Sequence, residues 1–217
     1  MNIRFDILVE YAPFFFQGAL LTIVLSLMGV FFGTVLGLLI GIGKMSKIWL
    51  SIPLKIYVTF FRGTPLLVQI LLIHFAVVPT ITGQTNGLLA AIISLSLNSA
   101  AYVAEIFRAG IQSIDKGQFE GAYSLGMSRL QTMRFIILPQ AFKRMIPPLG
   151  NEFIVLIKDS SLVAIIAVEE LMYWGRAMSA QYTDVWTAYL SAAFIYLLLT
   201  FTAELILNRL EKRLKTA

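Results

Sequence analysis

Three charged side chains, Glu152, Lys158 and Asp159, stand inside one otherwise apolar stretch, and a fourth, Glu105, lies near the end of another. At the centre of a membrane helix each charge costs roughly 2.5 to 3.5 kcal/mol, so such a group needs partners or a water-filled path. Together with nearby amide and hydroxyl groups these residues offer a polar solute both hydrogen-bond donors and acceptors. Lys158, Thr64 and freed backbone amides around Ser160 would be the donors, and Asp159, Asn98 and Glu152 the acceptors. Glu152 and Asp159, seven apart, share a helix face. Lys158 and Asp159 cannot, which leaves two readings: separate partners, or a helix break near Ser160–Ser161. Ser94, Asn98, Tyr102 and Glu105 follow at spacings of four, four and three, a polar stripe on one helix face. Arg108, three residues beyond Glu105, can pair with it, so Glu105 is either a structural ion-pair member or part of a site. Arg62-Gly63-Thr64-Pro65 interrupts an apolar run, either as a packing kink or as backbone turned towards a wet cavity. His74, alone, reads as a partnered structural histidine.

Elements able to position these residues are set by composition. The 217 residues are 58% hydrophobic and 13% charged, with mean hydropathy +0.81, which is a membrane protein. Without cysteine there is no disulfide, thiol nucleophile or thiolate metal site, and one histidine makes no metal centre. Apolar runs at about 13–43, 53–78, 88–107, 146–167 and 185–207 give five spans of roughly 20 residues or more, the fourth starting at Pro147-Pro148. Alternate connectors carry very different positive charge. Residues 44–55 hold Lys44, Lys47 and Lys55, residues 108–145 hold six Lys and Arg, and residues 208–217 hold four; the opposite side has Arg4 and Arg176 alone. By the positive-inside rule the N-terminus is outside, and the C-terminus and the 108–145 loop are cytoplasmic. Residues 168–184, with Glu169, Glu170, Trp174 and nearby Trp186, read as an outer interfacial connector. Glu10 and Asp6 precede a first span too long for a signal segment, so that span is expected to be retained. Basic residues flank the spans rather than forming an aromatic-interleaved stripe, so nucleic acid is not an expected partner. One domain, 1–217, suffices.

Gly29, Gly33, Gly37 and Gly41 form a ladder of overlapping G-x-x-x-G, read as a close helix–helix seam. The run Gly41-Ile42-Gly43-Lys44-Met45-Ser46 is not a phosphate loop, because Leu38 stands where the first glycine belongs and Met45 where Ser or Thr should follow the lysine. The chain has no nucleotide-binding motif and is not expected to be an enzyme.

The stretch Asp115–Pro139 is long and neither apolar nor a short connector. Asp115 can cap a helix over about 117–125, and Gly126 sits where a left-handed C-terminal residue belongs. Ser128-Arg129-Leu130-Gln131 is a capping box opening a second helix, which Pro139 should interrupt. Glu120, Ala122, Gly126, Ile136, Leu138 and Pro139 fit the spacing E-A-A-x3-G-x9-I-x-L-P, with Gly121 in place of the first alanine. This resembles the cytoplasmic EAA loop of ABC import permeases. F-R-G-T-P-L-L-V-Q at 61–69, A-Y-V-A-E-I-F-R-A-G-I-Q-S-I at 101–114 and P-P-L-G-N-E-F-I-V-L-I-K-D-S-S-L at 147–162 resemble the polar-amino-acid branch of that family.

The resemblance implies the all-α, five-span fold of a type I importer permease in a prokaryotic inner membrane, working beside a second permease copy or paralogue in the lipid. It implies an ABC ATPase dimer that binds ATP and Mg, with no cofactor in this chain, and an extracytoplasmic substrate-binding protein. Glu120, Gly121, Ala122, Gly126, Leu138 and Pro139 would couple to the ATPase. Gly63, Thr64, Asn98, Glu105, Glu152, Lys158, Asp159 and Ser160 would line the substrate path. At 1.5 Å per residue Thr64, Asn98 and Asp159 fall about 15 to 18 Å from the ends of their spans, near the midplane. Arg62 and Lys158 against Glu105, Glu152 and Asp159 leave one excess negative charge, favouring a basic amino acid. A gradient-driven transporter or channel is the alternative reading; it explains the buried charges but not the loop.

Sidedness is directly testable because the parent chain lacks cysteine. In intact cells Gln84→Cys should react with an impermeant thiol reagent, and Gln118→Cys only after lysis. The reverse pattern inverts the topology.

Overall fold

The computed structural model describes residues 3–44 and 48–216, so Met45, Ser46 and Lys47 of the sequence argument lie outside the described residues. Ten α-helices follow in order: α1 (Phe5–Lys44), α2 (Ile48–Gly63), α3 (Leu66–Leu72), α4 (Val78–Thr82), α5 (Gly87–Gln112), α6 (Lys116–Ser124), α7 (Arg129–Gln131), α8 (Leu138–Asp159), α9 (Leu171–Tyr182) and α10 (Val185–Thr216). No strand occurs among the described residues, so the all-α expectation holds.

By length and hydropathy α1, α5 and α10 can each cross a membrane. A fourth crossing is a pair, Ser51–Gly63 with Leu66–Thr82, bent by 110°, far more than the interruption expected within one span. The fourth expected span, at 146–167, falls on the C-terminal half of α8, a helix too rich in charge to qualify by composition; it is held by packing against α1, α5 and α10.

Pro139 was expected to interrupt a helix and does not. Pro139 follows a π-helical turn over Thr132–Ile137, whose extra residue lets Leu138 N–H bond Met133 O and the helix continue as α8. Ile73–Val77 makes the same turn ahead of Pro79. Pro147 and Pro148 lie inside α8 instead of opening it, and α1 starts at Phe5 and runs through Pro13. A proline costs a helix one backbone bond, and in α8 Ala141, Met145, Leu156 and Ile157 bury enough apolar surface to hold the helix on.

The glycine ladder is the seam between α1 and α5. A Cβ on Gly33 would sit 2.6 Å from Ser99 Cβ, one on Gly37 2.6 Å from Val103 Cβ and 2.7 Å from Ala100 O, and one on Gly41 2.7 Å from Phe107 Cδ1. Both partners step by four residues, so the two backbones run in register at a separation only glycine permits.

At the end of the bundle that holds the start of α1, α9 ties α1 to α10. Glu170 was expected at an interface, yet it is fully buried, capping α9 at Tyr173 N (2.9 Å) and accepting from Thr22 Oγ1 (3.3 Å) and from the Tyr196 hydroxyl. Trp174 stacks on Phe14 at 4.6 Å, whereas Trp186 is exposed.

Gly37→Val should lower thermal stability in detergent by about 1 to 3 kcal/mol through overpacking. Gly121→Ala, where nothing lies within 4 Å of the new Cβ, should leave it unchanged. Equal effects would remove the seam from the account.

Candidate functional site

The bend after α2 exposes the backbone of residues 61 to 65, and one side chain gathers it. Gln69, on α3, points its amide N–H groups at Phe61 O (2.9 Å), Thr64 O (3.1 Å) and Thr64 Oγ1 (2.9 Å). Its amide oxygen accepts from Asn98 Nδ2 on α5 at 2.9 Å, and that group also reaches Phe61 O at 3.4 Å. Thr64 Oγ1 donates to Phe60 O at 2.8 Å, completing the last turn of α2. Gln69 is 2% exposed and Asn98 6%, so without these bonds their own amides would be buried unpaired and the half-buried carbonyls would lose their donor. The structure thus brings Gly63, Thr64 and Asn98 together, with Gln69 as their centre. Sequence reading missed Gln69, although it is the lone polar residue of Leu66–Leu72 and such a residue needs a partner.

One and two turns further along the same α5 face, Arg62 places its guanidinium 5.3 Å over the Tyr102 ring, and Glu105 gathers three cations. Lys44, at the end of α1, pairs with Oε1; Arg108 Nε donates to Oε2 at 2.8 Å and Arg62 Nη1 lies 3.9 Å from it. The Arg108 pair was expected; Lys44 was counted only as a topology signal. Both Glu105 oxygens are engaged, on a side chain 17% exposed. Lys55, Thr59 and Gly63 join this cluster around a cavity of about 510 Å³.

The α8 charges lie on the opposite side of α5. Glu152 is buried and faces the Ser99 hydroxyl, which is packed against Gly33 and closes no hydrogen bond of ordinary geometry. Asp159 ends α8 half-buried, and Lys158 is exposed. At Ser160–Ser161, where a helix break was one of the two readings, the chain tightens into a 3-10 segment, Ser160–Ile166, and the turn to left-handed backbone comes at Ala167 (φ 57°). Ser160 Oγ donates to Ile157 O (2.9 Å) and Ser161 Oγ to Lys158 O (2.6 Å), satisfying carbonyls at the change of pitch. The eight site residues therefore fall into two groups, Gly63, Thr64, Asn98 and Glu105 facing α2 and α3, and Glu152, Lys158, Asp159 and Ser160 on α8 and beyond. His74 departs from expectation: its ring is buried in the π-turn beside Phe75, and Nδ1 has no hydrogen-bond partner among the described residues.

The 115–139 loop follows its sequence closely. Asp115 caps α6 at Gly117 N (2.7 Å), Gly126 has φ 76°, and Ser128 and Gln131 complete the capping box at 3.3 and 2.8 Å. Ala122 is buried, while Glu120, Gly121 and Pro139 are exposed and Leu138 is partly covered. Ile114, Ile137, Ala141 and Phe119 pack beneath, and Gln140 bonds Gln118 at 3.0 Å, fixing α6 to the head of α8. On the outer surface of this loop Leu125 is 84% exposed and Leu130 78%.

Residues 33–216 match the family described as the binding-protein-dependent transport system inner membrane component. The chain belongs to that family. This permease is 43% identical over 206 residues to a probable amino-acid ABC transporter permease of Bacillus subtilis (strain 168), covering 94% of this chain and 91% of the relative. It is 38% identical to the glutamine transport system permease protein of Escherichia coli (strain K12), over 94% of each chain. A crystal structure of an amino acid ABC transporter with histidines superposes with TM-score 0.93 at 39% identity, covering 98% of the permease and 100% of that chain.

Gln69→Met keeps the volume but removes every bond of the clasp. The permease should lose about 2 kcal/mol or more of stability, because the half-buried carbonyls lose their donor and the buried Asn98 amide its Gln69 acceptor. A thermal midpoint equal to the parent's would show that the bend does not depend on Gln69.

Proposed function

We propose that this permease is the membrane-spanning subunit of an ATP-driven importer of polar amino acids, basic ones favoured, alternating access under the drive of a separate ATPase dimer. It works beside a second permease copy or paralogue, receives substrate from an extracytoplasmic binding protein, and leaves ATP and Mg to the ATPase. Its N-terminus faces out and its C-terminus the cytoplasm. The observation that carries the reading is the 115–139 loop: a doubly capped, rigidly backed hairpin with Leu125 and Leu130 in solvent on the cationic side of the chain. A gradient-driven transporter or a channel leaves such a hairpin without a purpose. Family membership supports the same choice.

Within this reading Glu120, Gly121, Ala122, Gly126, Leu138 and Pro139 transmit ATPase motion. Ala122 seats α6, Gly126 turns the chain, and Pro139 with its π-turn joins the hairpin to α8. Because α8 ends in Lys158 and Asp159, motion of the hairpin reaches them through one continuous helix. The substrate path is assigned to Gly63, Thr64, Asn98, Glu105, Glu152, Lys158, Asp159 and Ser160. Lys158 takes the carboxylate, Asp159 and Glu152 the ammonium or a cationic side chain, and Glu105 sets the charge of the inner end through its cations.

Gly126→Val should leave the chain inserted and abolish most substrate-stimulated ATP hydrolysis, since a β-branched residue at positive φ costs about 1 to 2 kcal/mol and tilts α6. Coupling at the parental level argues against the hairpin. In the same vesicles Glu152→Gln and Asp159→Asn should reduce uptake of basic amino acids more than of neutral ones while basal hydrolysis persists. Parental uptake of both classes would move the path elsewhere.

A further inference from the structure

On the outer side one cation remains without a partner. Arg4 pairs with Asp6 at 2.8 Å, but Arg176, on α9, spends one N–H on Ala164 O at 3.3 Å and meets no carboxylate among the described residues. A guanidinium presents five N–H donors in a planar fork that matches a carboxylate, so most of its capacity is free. Arg176 lines a cavity of about 540 Å³ with Tyr173, Ser179, Ala180 and Tyr189. The hydroxyls of Tyr173, Ser179 and Tyr189 make no hydrogen bond within the described residues. Ala167, a non-glycine residue at φ 57°, lines the same cavity; held strain of this kind clusters at functional sites.

A second cavity, of about 560 Å³, is lined by Lys158, Ser161, Met172 and Tyr196, and Tyr189 is in its wall too. Lys158 makes no ion pair within hydrogen-bonding reach among the described residues. From Lys158 to the carbonyl that Arg176 holds is six residues, largely of 3-10 helix, about 12 Å at a rise near 2 Å. Two cations without a salt bridge among the described residues thus stand in series, outer connector to core, with one phenol shared between their cavities. A lysine facing acyl chains at that depth would be costly, so this face belongs to a wet path rather than to lipid.

We propose that Arg176, with Tyr173, Ser179 and Tyr189, forms an outer reception site for the carboxylate of a small zwitterionic solute, one step outside the Lys158 cavity. This rests on the import reading and adds to it an order of events: carboxylate caught at Arg176, then handed past Tyr189 to Lys158. The outer cavity has no carboxylate of its own in its wall, so the ammonium is not matched until the solute reaches Asp159.

The test uses Ala180→Cys as a reporter inside the cavity of an otherwise cysteine-free chain, labelled from outside in whole cells with an impermeant maleimide. Free glutamine and free arginine should slow labelling, and their α-carboxamides should not. Adding Arg176→Gln should raise the protecting concentration about tenfold or more, the loss of one charge-assisted hydrogen bond, and Arg176→Lys should raise it less. Equal protection by acids and amides, protection unmoved by Arg176→Gln, or no protection in cells that import the same amino acid would each overturn the site. The acid-against-amide comparison needs no Arg176 variant, so a variant that fails to insert leaves the test intact. ATP-dependent uptake measured alongside reports on the import reading separately: carboxylate-specific protection without uptake overturns that reading and leaves the reception site standing.

Discussion

In hydrocarbon no water completes a broken helix, so every backbone N–H and C=O must find a partner inside the protein. The bend at Gly63–Pro65 violates helical bonding at one point, and the Gln69 amide repairs it with bonds to Phe61 and Thr64. Much else follows from where that repair sits. Asn98 holds Gln69 from α5, which fixes the two arms of the bent pair against the helix that carries the polar stripe. Arg62, the last charged residue before the bend, is thereby set over Tyr102 and beside Glu105. The place of Arg62 in the Glu105 cluster therefore follows from the clasp, while Lys44 and Arg108 reach Glu105 from α1 and from α5 itself.

Rigidity and polarity are divided between the two sides of α5. Towards α1 the glycine seam brings backbones together with no room for a Cβ at Gly33 or Gly37, and such a seam cannot slide without losing its fit. Towards α2 and α3 an apolar contact of Val58 and Ile70 with α5 is joined by hydrogen bonds and ion pairs, which can exchange one partner for another or for water. The 3-10 segment after Asp159 offers similar freedom, its carbonyls held by Ser160 and Ser161 hydroxyls that rotate readily. A molecule that must present one polar path alternately to two sides needs this combination of a fixed frame and exchangeable links.

How much was legible in the sequence depends on the range of the interaction. The hairpin at 115–139 was readable almost residue by residue, since Asp115, Gly126 and the Ser128–Gln131 box each act on backbone within a few positions of themselves. Spacing also gave the glycine seam and the Arg108–Glu105 pair, though not which helix Gly37 meets. Pro139 and Pro147 misled because their cost is local while the packing that outweighs it is not. Glu170 and Lys44 were misplaced for the same reason: their partners, Tyr196 and Glu105, lie 26 and 61 residues away. Gln69 is the instructive case, because its need for a partner was visible in Leu66–Leu72 but the bend that supplies one was not.

Gln69 and Asn98 act as one clasp over the bend, and a double-mutant cycle reads that coupling most directly. Thermal unfolding of the parent, Gln69→Ala, Asn98→Ala and the double variant should give an interaction energy of about 1 kcal/mol or more, the double variant losing less than the sum of the singles. Strict additivity within about 0.3 kcal/mol would mean that the two side chains act independently, contradicting the clasp on which the bend and the place of Arg62 depend.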